Sequence, residues 1–112
     1  AHAWVLRWVA ANADATAAVD GVDVLWVGHF DLSVSLGIPG EFDNPKFLKA
    51  IDQTIAATKK HKKSLGRLVP TTDLGIALFK QGFDFCCYSG DVWVLRDALT
   101  QAMNTLRAGC KP

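Results

Sequence analysis

No stretch of this sequence reaches the ~18–20 consecutive apolar residues that a bilayer-spanning helix needs. The apolar opening AHAWVLRWVA has no basic leader segment and is broken by Arg7, so it is not expected to be a signal peptide. Neither sign of charge is in excess. Twelve Lys plus Arg against 11 Asp plus Glu leave +1, which removes any global electrostatic reason for a nucleic-acid or membrane partner. Cysteine is sparse. Cys86, Cys87 and Cys110 form no C-x-x-C pair and no metal-ligand spacing, and a reduced, cytoplasmic environment is expected. There is no G-x-S-x-G nucleophile elbow, no low-complexity tract and no linker-like segment.

What is present is a chain of 112 residues, half of them apolar, and the length predicts one domain over 1–112. Val22–Val27 is a β-branched and aromatic run of the kind buried on both faces of a parallel sheet. Leu65–Val69 and Phe83–Tyr88 read as two more strands. Trp4–Val9 fits a short strand or a helix start equally well. Helical patterns fill the spaces. Asn12–Val19 is alanine-rich. Asn44-Pro45 supplies an N-cap and an N1 proline for a helix with Phe47, Leu48, Ile51 and Ile55 on one face. Thr71 or Thr72 caps a helix that runs to Gln81, with Leu74, Ala77 and Leu78 inward and Gly82 as the terminating glycine. Val92–Ala108 carries Leu95, Leu99, Met103 and Leu106 on one stripe. Gly28–Asn44, with Gly37, Pro39 and Gly40, reads as a loop. Strands alternating with helices predict an α/β fold with a parallel sheet and right-handed crossovers. The basic run Lys59-Lys60-His61-Lys62-Lys63 sits where a helix ends. Cations are favoured there by the helix dipole, so a solvated C-terminus accounts for it.

The chemistry concentrates in VLWVGHFDLSVSLG, where an apolar strand runs through Gly28 into His29, Phe30 and Asp31. The string Gly28-x-x-Asp31-Leu32-Ser33-x-Ser35-Leu36-Gly37, followed by Pro39-Gly40, resembles the 4-hydroxy-2-oxo-diacid aldolases. These are class II pyruvate aldolases with citrate-lyase-like barrels. The later stretch GRLVPTTDLGIALFKQGFDFCCYSGDVWVLRDAL extends the likeness, which covers roughly residues 12–108 and leaves 1–10 unmatched. The resemblance implies part of a (β/α)8 barrel, of three to four parallel strands, with Val22–Val27, Leu65–Val69 and Phe83–Tyr88 as the last three. Chemistry in such barrels lies at the C-terminal ends of the strands. Gly28–Ser33, Pro70–Thr72 and Ser89–Asp91 then share one rim. It further implies a divalent ion, Mg²⁺ or Mn²⁺, held by Asp31 and by a Glu from an earlier strand. The ion would chelate a small 2-oxo acid and stabilise a pyruvate enolate. Backbone amides of Gly28–Phe30 would hold the substrate carboxylate, Gly28 permitting the close approach.

Two departures stand beside the resemblance. Barrels of this kind run to ~250 residues, more than twice this length. The stretch AHAWVLRWVA, where the resemblance places the metal-binding Glu, contains no acidic residue, so a truncation or an altered reading frame is one expectation. A half-barrel would expose strand edges and an apolar face, and self-association to a homo-oligomer is the expected remedy.

For single residues, two readings stay open. Asp31 is a metal ligand or general base, or a turn-capping carboxylate. His29 is a general base, or a loop histidine bonded to backbone. Arg67, inside an apolar strand, contacts a substrate carboxylate at the rim, or forms an ion pair in the barrel interior. Ser89 touches substrate, or only forms the Ser-Gly-Asp turn. Asp91 caps the last helix. His61 is expected at the surface, Trp26 and Trp93 in the core, and Cys86 and Cys87 as buried packing residues. Three functions follow: a metal-dependent aldolase or lyase for a 2-oxo acid, a non-catalytic self-associating barrel remnant, or a small carboxylesterase built from His29, Asp31 and Ser33, Ser35 or Ser89.

Overall fold

The computed structural model describes residues 12–110. Trp4–Val9, and with it the choice between strand and helix, lies outside them. The described elements run α1 (Ala13–Ala17), β1 (Val24–Val27), α2 (His29–Ser35), α3 (Pro45–His61), β2 (Ser64–Val69), α4 (Thr72–Gln81), β3 (Phe85–Tyr88) and α5 (Asp91–Gly109). The strands form one parallel sheet in the order β1-β2-β3. Each joins the next through a helix, as parallel neighbours require.

Local sequence explains most of these boundaries. Asn44 accepts the Lys46 N–H at 3.0 Å and Pro45 occupies the first helical position, so α3 starts there. α3 ends on Lys62 in the left-handed region, φ 54°. Thr71 caps α4 by accepting the Leu74 N–H at 3.3 Å, and Gly82 ends it at φ 117°, where a side chain would be strained. The last helix is capped by Gly90 rather than by Asp91; Asp91 is its first residue, and its carboxylate accepts the Val92 N–H at 2.8 Å.

Four expectations are corrected. Gly28–Asn44 is not all loop, because His29–Ser35 is helical. The helix closes as a Schellman motif: Gly37 N–H donates to the Val34 carbonyl and Ile38 N–H to the Ser33 carbonyl, with Gly37 at φ 75°. β2 is buried as expected, with Leu65, Gly66 and Arg67 buried in succession, but the outer strands are not buried on both faces. β1 alternates exposed and buried, and all four residues of β3 are exposed, Cys86 and Cys87 included. The apolar stripe of α5 does not face a core, since no residue of that helix is buried. Trp26, 47% exposed, and Trp93 are likewise outside the core.

The core lies on one side of the sheet. Leu25 and Val27 of β1 and Leu65 and Val69 of β2 meet Phe47, Ala50, Ile51 and Ala57 of α3, with Ala13 and Ala17 of α1 closing one end and Leu78 and Phe83 the other. The opposite face carries Val24, Trp26, Gly66 and Phe85. α1 is tied to α3 by Asp14, which meets Lys60 Nζ at 2.9 Å and His61 Nε2 at 3.0 Å. His61 is therefore half-buried, with its ring held against the Asp14 carboxylate, and not a free surface side chain.

Candidate active site

Because the three strands are parallel, their C-terminal ends fall on one rim, which brings together Gly28–Asp31, Pro70–Thr72 and Ser89–Asp91. The chain leaves β1 at Gly28 and enters α2 at once. The first residues of a helix have no i−4 carbonyl within it, so the N–H groups of His29, Phe30 and Asp31 are available as donors at this rim. The first α2 bond is Leu32 N–H to the Gly28 carbonyl, 2.8 Å. Asp31, in the first turn, is exposed, and its side chain folds back over Gly28. A Cβ on Gly28 would sit 2.8 Å from Asp31 Oδ2, so only glycine lets the carboxylate lie there.

His29 is half-buried beneath this turn. Its ring lies 5.0 Å from Phe30 and 5.3 Å from Phe42, Phe30 and Phe42 meet at 5.1 Å, and Phe42 continues to Phe47 at 5.4 Å. Burial among these rings lowers the imidazole pKa from its ordinary 6.5. The Arg67 guanidinium adds to the effect and Asp31 opposes it. The neutral, proton-accepting form is thereby favoured.

Ser33 is fully buried. Its hydroxyl donates to the Phe30 carbonyl at 2.7 Å and accepts the Gly40 N–H at 3.0 Å, pinning the Gly37–Gly40 turn onto α2. Ser35 donates to the Leu32 carbonyl at 3.0 Å. Neither hydroxyl is bonded to His29, so the structure does not assemble a Ser33 or Ser35 pair with His29 for the esterase reading. Ser89 adopts a left-handed φ of 50° just past β3, and its N–H donates to the Val69 carbonyl at 2.8 Å, adding one bond to the β2–β3 ladder.

Arg67 does not point into the face lined by Trp26, Gly66 and Phe85. It shares its side of β2 with Leu65 and Val69 and is buried beneath the helices. Among the described residues no carboxylate pairs with it, so the interior ion pair is not formed. The described residues also contain no group of three His, Cys, Asp or Glu side chains placed to hold a metal ion.

Sequence reasoning missed α2 and the neighbours of Gly66. The signal for α2 was available: a carboxylate in the first turn and a glycine just past the last.

Residues 9–98 match the family model described as HpcH/HpaI aldolase/citrate lyase. The chain belongs to that family. A hydroxypyruvate/pyruvate aldolase of Chromohalobacter salexigens is 36% identical over 93 residues, which is 83% of this chain and 37% of that protein. A 4-hydroxy-4-methyl-2-oxoglutarate aldolase of Hapsidospora irregularis is 50% identical over 55 residues, 49% of this chain and 20% of the relative. Among solved structures, an HpcH/HpaI aldolase from Desulfitobacterium hafniense superposes with a TM-score of 0.76 at 26% identity, covering 93% of this chain and 40% of that one. A family protein from Burkholderia cenocepacia gives 0.77 at 29% identity, covering 88% and 38%. The chain thus spans about a fifth to two-fifths of the length of these family members, and the three parallel strands with their helices are the shared part of the barrel-type fold.

Proposed function

We propose that this HpcH/HpaI-family chain forms part of the active-site rim of an aldolase or lyase that makes or breaks a carbon–carbon bond in a small 2-oxo acid. The observation that carries the reading is the Gly28–Asp31 turn, with a carboxylate folded over a glycine at the end of a parallel strand. In this proposal the N–H groups of His29 and Phe30 bind the substrate carboxylate, and Gly28 leaves room for it. His29, held neutral, accepts or returns a proton at the reacting carbon. Ser89 lines the opposite end of the rim. Asp31 is one ligand of an Mg²⁺ or Mn²⁺ ion whose other protein ligands come from outside residues 12–110. When bound, such an ion supplies Lewis-acid stabilisation of an enolate.

The partner in this proposal includes further copies of the chain. The exposed apolar faces of α5 and of the sheet support self-association, because contiguous apolar surface of this extent is unusual on a monomer. No helix among the described residues is long and apolar enough to cross a membrane.

A second reading, a non-catalytic self-associating module, is favoured by the lone carboxylate. One assay separates the two: pyruvate release from a 4-hydroxy-2-oxo acid with Mn²⁺ or Mg²⁺, with and without chelator, alongside the solution mass. The aldolase reading expects activity that needs the ion and disappears in Asp31→Ala. Activity indifferent to that substitution, or none in any assembled form, overturns it.

A further inference from the structure

We infer that the loop from Gly37 to Phe42 braces the Gly28–Asp31 turn, with Ser33 as its anchor and Phe42 as its point of contact, and that these two positioning residues hold the His29 ring in one orientation. This rests on the proposed function, in which His29 moves the proton. Ser33 receives the returning loop with both of its acceptors. Its carbonyl accepts the Ile38 N–H at 2.9 Å, and its hydroxyl oxygen accepts the Gly40 N–H at 3.0 Å. The same hydroxyl donates to the Phe30 carbonyl at 2.7 Å. One oxygen thus joins the loop to the first turn of α2. Ser33 is 0% exposed, and a buried polar group that loses its partner costs more than the bond contributes when made. The loop is therefore held to one path.

That path brings Phe42 back against the turn. Its ring centroid lies 5.3 Å from that of His29, 5.1 Å from Phe30 and 5.4 Å from Phe47. Phe47 is fully buried on the core face of α3, so Phe42 couples the rim to a fixed point of the core. Aromatic rings at these separations attract beyond the area they bury. Phe30 follows His29 in the chain and moves with it. Phe42 is the ring that reaches His29 from outside the turn. Asn44, just beyond it, caps α3, so the brace is fastened at both ends. A proton acceptor works only within hydrogen-bond reach of the proton it takes. An imidazole free to change χ1 well spends part of its time out of reach.

NMR of the intact chain tests this. Side-chain couplings report the χ1 of His29, and the Trp26–Phe85 ring contact reports the fold. Wild-type His29 should occupy one rotamer. Ser33→Ala and Phe42→Leu should each leave it averaged over several wells while the Trp26–Phe85 contact persists. Phe42→Tyr, which returns a ring, should restore the single rotamer. In the Mn²⁺-dependent pyruvate-release assay, kcat should fall about 10-fold in Ser33→Ala and in Phe42→Leu, with KM changed by less than about twofold. The double variant should be no slower than either single one, because both act through one brace. The inference is overturned if wild-type His29 is already averaged, if either single variant keeps the single rotamer, or if an active chain loses no kcat in them. Should Ser33→Ala not fold, Phe42→Leu and Phe42→Tyr, which leave both bonds at Ser33, decide. A wild-type chain without aldolase activity removes the proposed function, and the rotamer then decides the brace by itself.

Discussion

The rings of Trp26 and Phe85 meet edge-on across the sheet, 5.8 Å between centroids and 63° between planes, with the bare Cα of Gly66 between them. The three residues are register neighbours on β1, β2 and β3. A Cβ on Gly66 would lie 2.5 Å from the Phe85 ring, 3.0 Å from the Phe85 carbonyl and 3.1 Å from the Trp26 ring. Glycine in a strand interior commonly marks such a close approach. Gly66→Ala is therefore expected to push Phe85 aside and destabilise the sheet by ~1–3 kcal/mol, the usual range for overpacking. Urea unfolding followed by tryptophan fluorescence reads both the stability and the altered Trp26 environment. An unchanged midpoint would show that the rings yield freely.

A methyl group on Gly28 acts on the proposed site instead. It would meet Asp31 Oδ2 at 2.8 Å, and the carboxylate has to swing away. Gly28→Ala should weaken Mn²⁺ affinity and lower any metal-dependent aldolase activity by at least ~10-fold, about 1.4 kcal/mol, while the circular dichroism stays that of the parent. Retained Mn²⁺ affinity would separate Asp31 from the metal.

Acid should loosen α1 from α3. The Asp14 pKa is lowered from 3.8, first by its hydrogen bond to Lys60 and then by that to His61. A carboxyl with a depressed folded pKa contributes stability that is fully present above its unfolded value. That contribution is lost as pH falls below 3.8 through the folded value. Asp14→Asn should flatten this acid limb. Because the pair is exposed, ~1 M salt should flatten it too. Hydrogen exchange across Ala13–Ala17 between pH 3 and 6 measures it.

The stripe Leu95, Leu99, Met103 and Leu106 on α5 lies in solvent in a single chain. Sedimentation should therefore give a mass above the 12.1 kDa of one chain. The pair Leu99→Asp and Met103→Asp should reduce it to the monomer without changing the sheet. A wild-type chain that sediments at 12.1 kDa removes self-association from the proposal.

Helix termini were the most legible part of the sequence, because caps are local chemistry. Asn44-Pro45, Thr71 and Gly82 each act within three or four residues of themselves, and each stands where the sequence places it. The β-branched and aromatic runs marked all three strands, though the observed β1 and β3 each begin two residues later. The run Gly28-x-x-Asp31-Leu32-Ser33 was specific enough to name a family, since its glycine and carboxylate belong to one turn.

Burial was not legible, because it depends on which elements return to cover a strand or a stripe. Residues 85–88 and the helix from Asp91 carry core-like composition, yet α4 covers β3 only in part and no residue of α5 is buried, so Cys86, Cys87 and Leu99 remain exposed. The sequence alone determined the alternation of strands and helices, their caps and the chemical character of the β1 turn, all set by interactions a few residues apart. Only the tertiary structure decided that Arg67 lies beneath the helices without a carboxylate, that Ser33 is a structural hydroxyl and that Gly66 separates two rings. The first and last arise from strand register and side-chain direction across neighbouring strands, and that of Ser33 from the Gly37–Gly40 turn folding back onto α2.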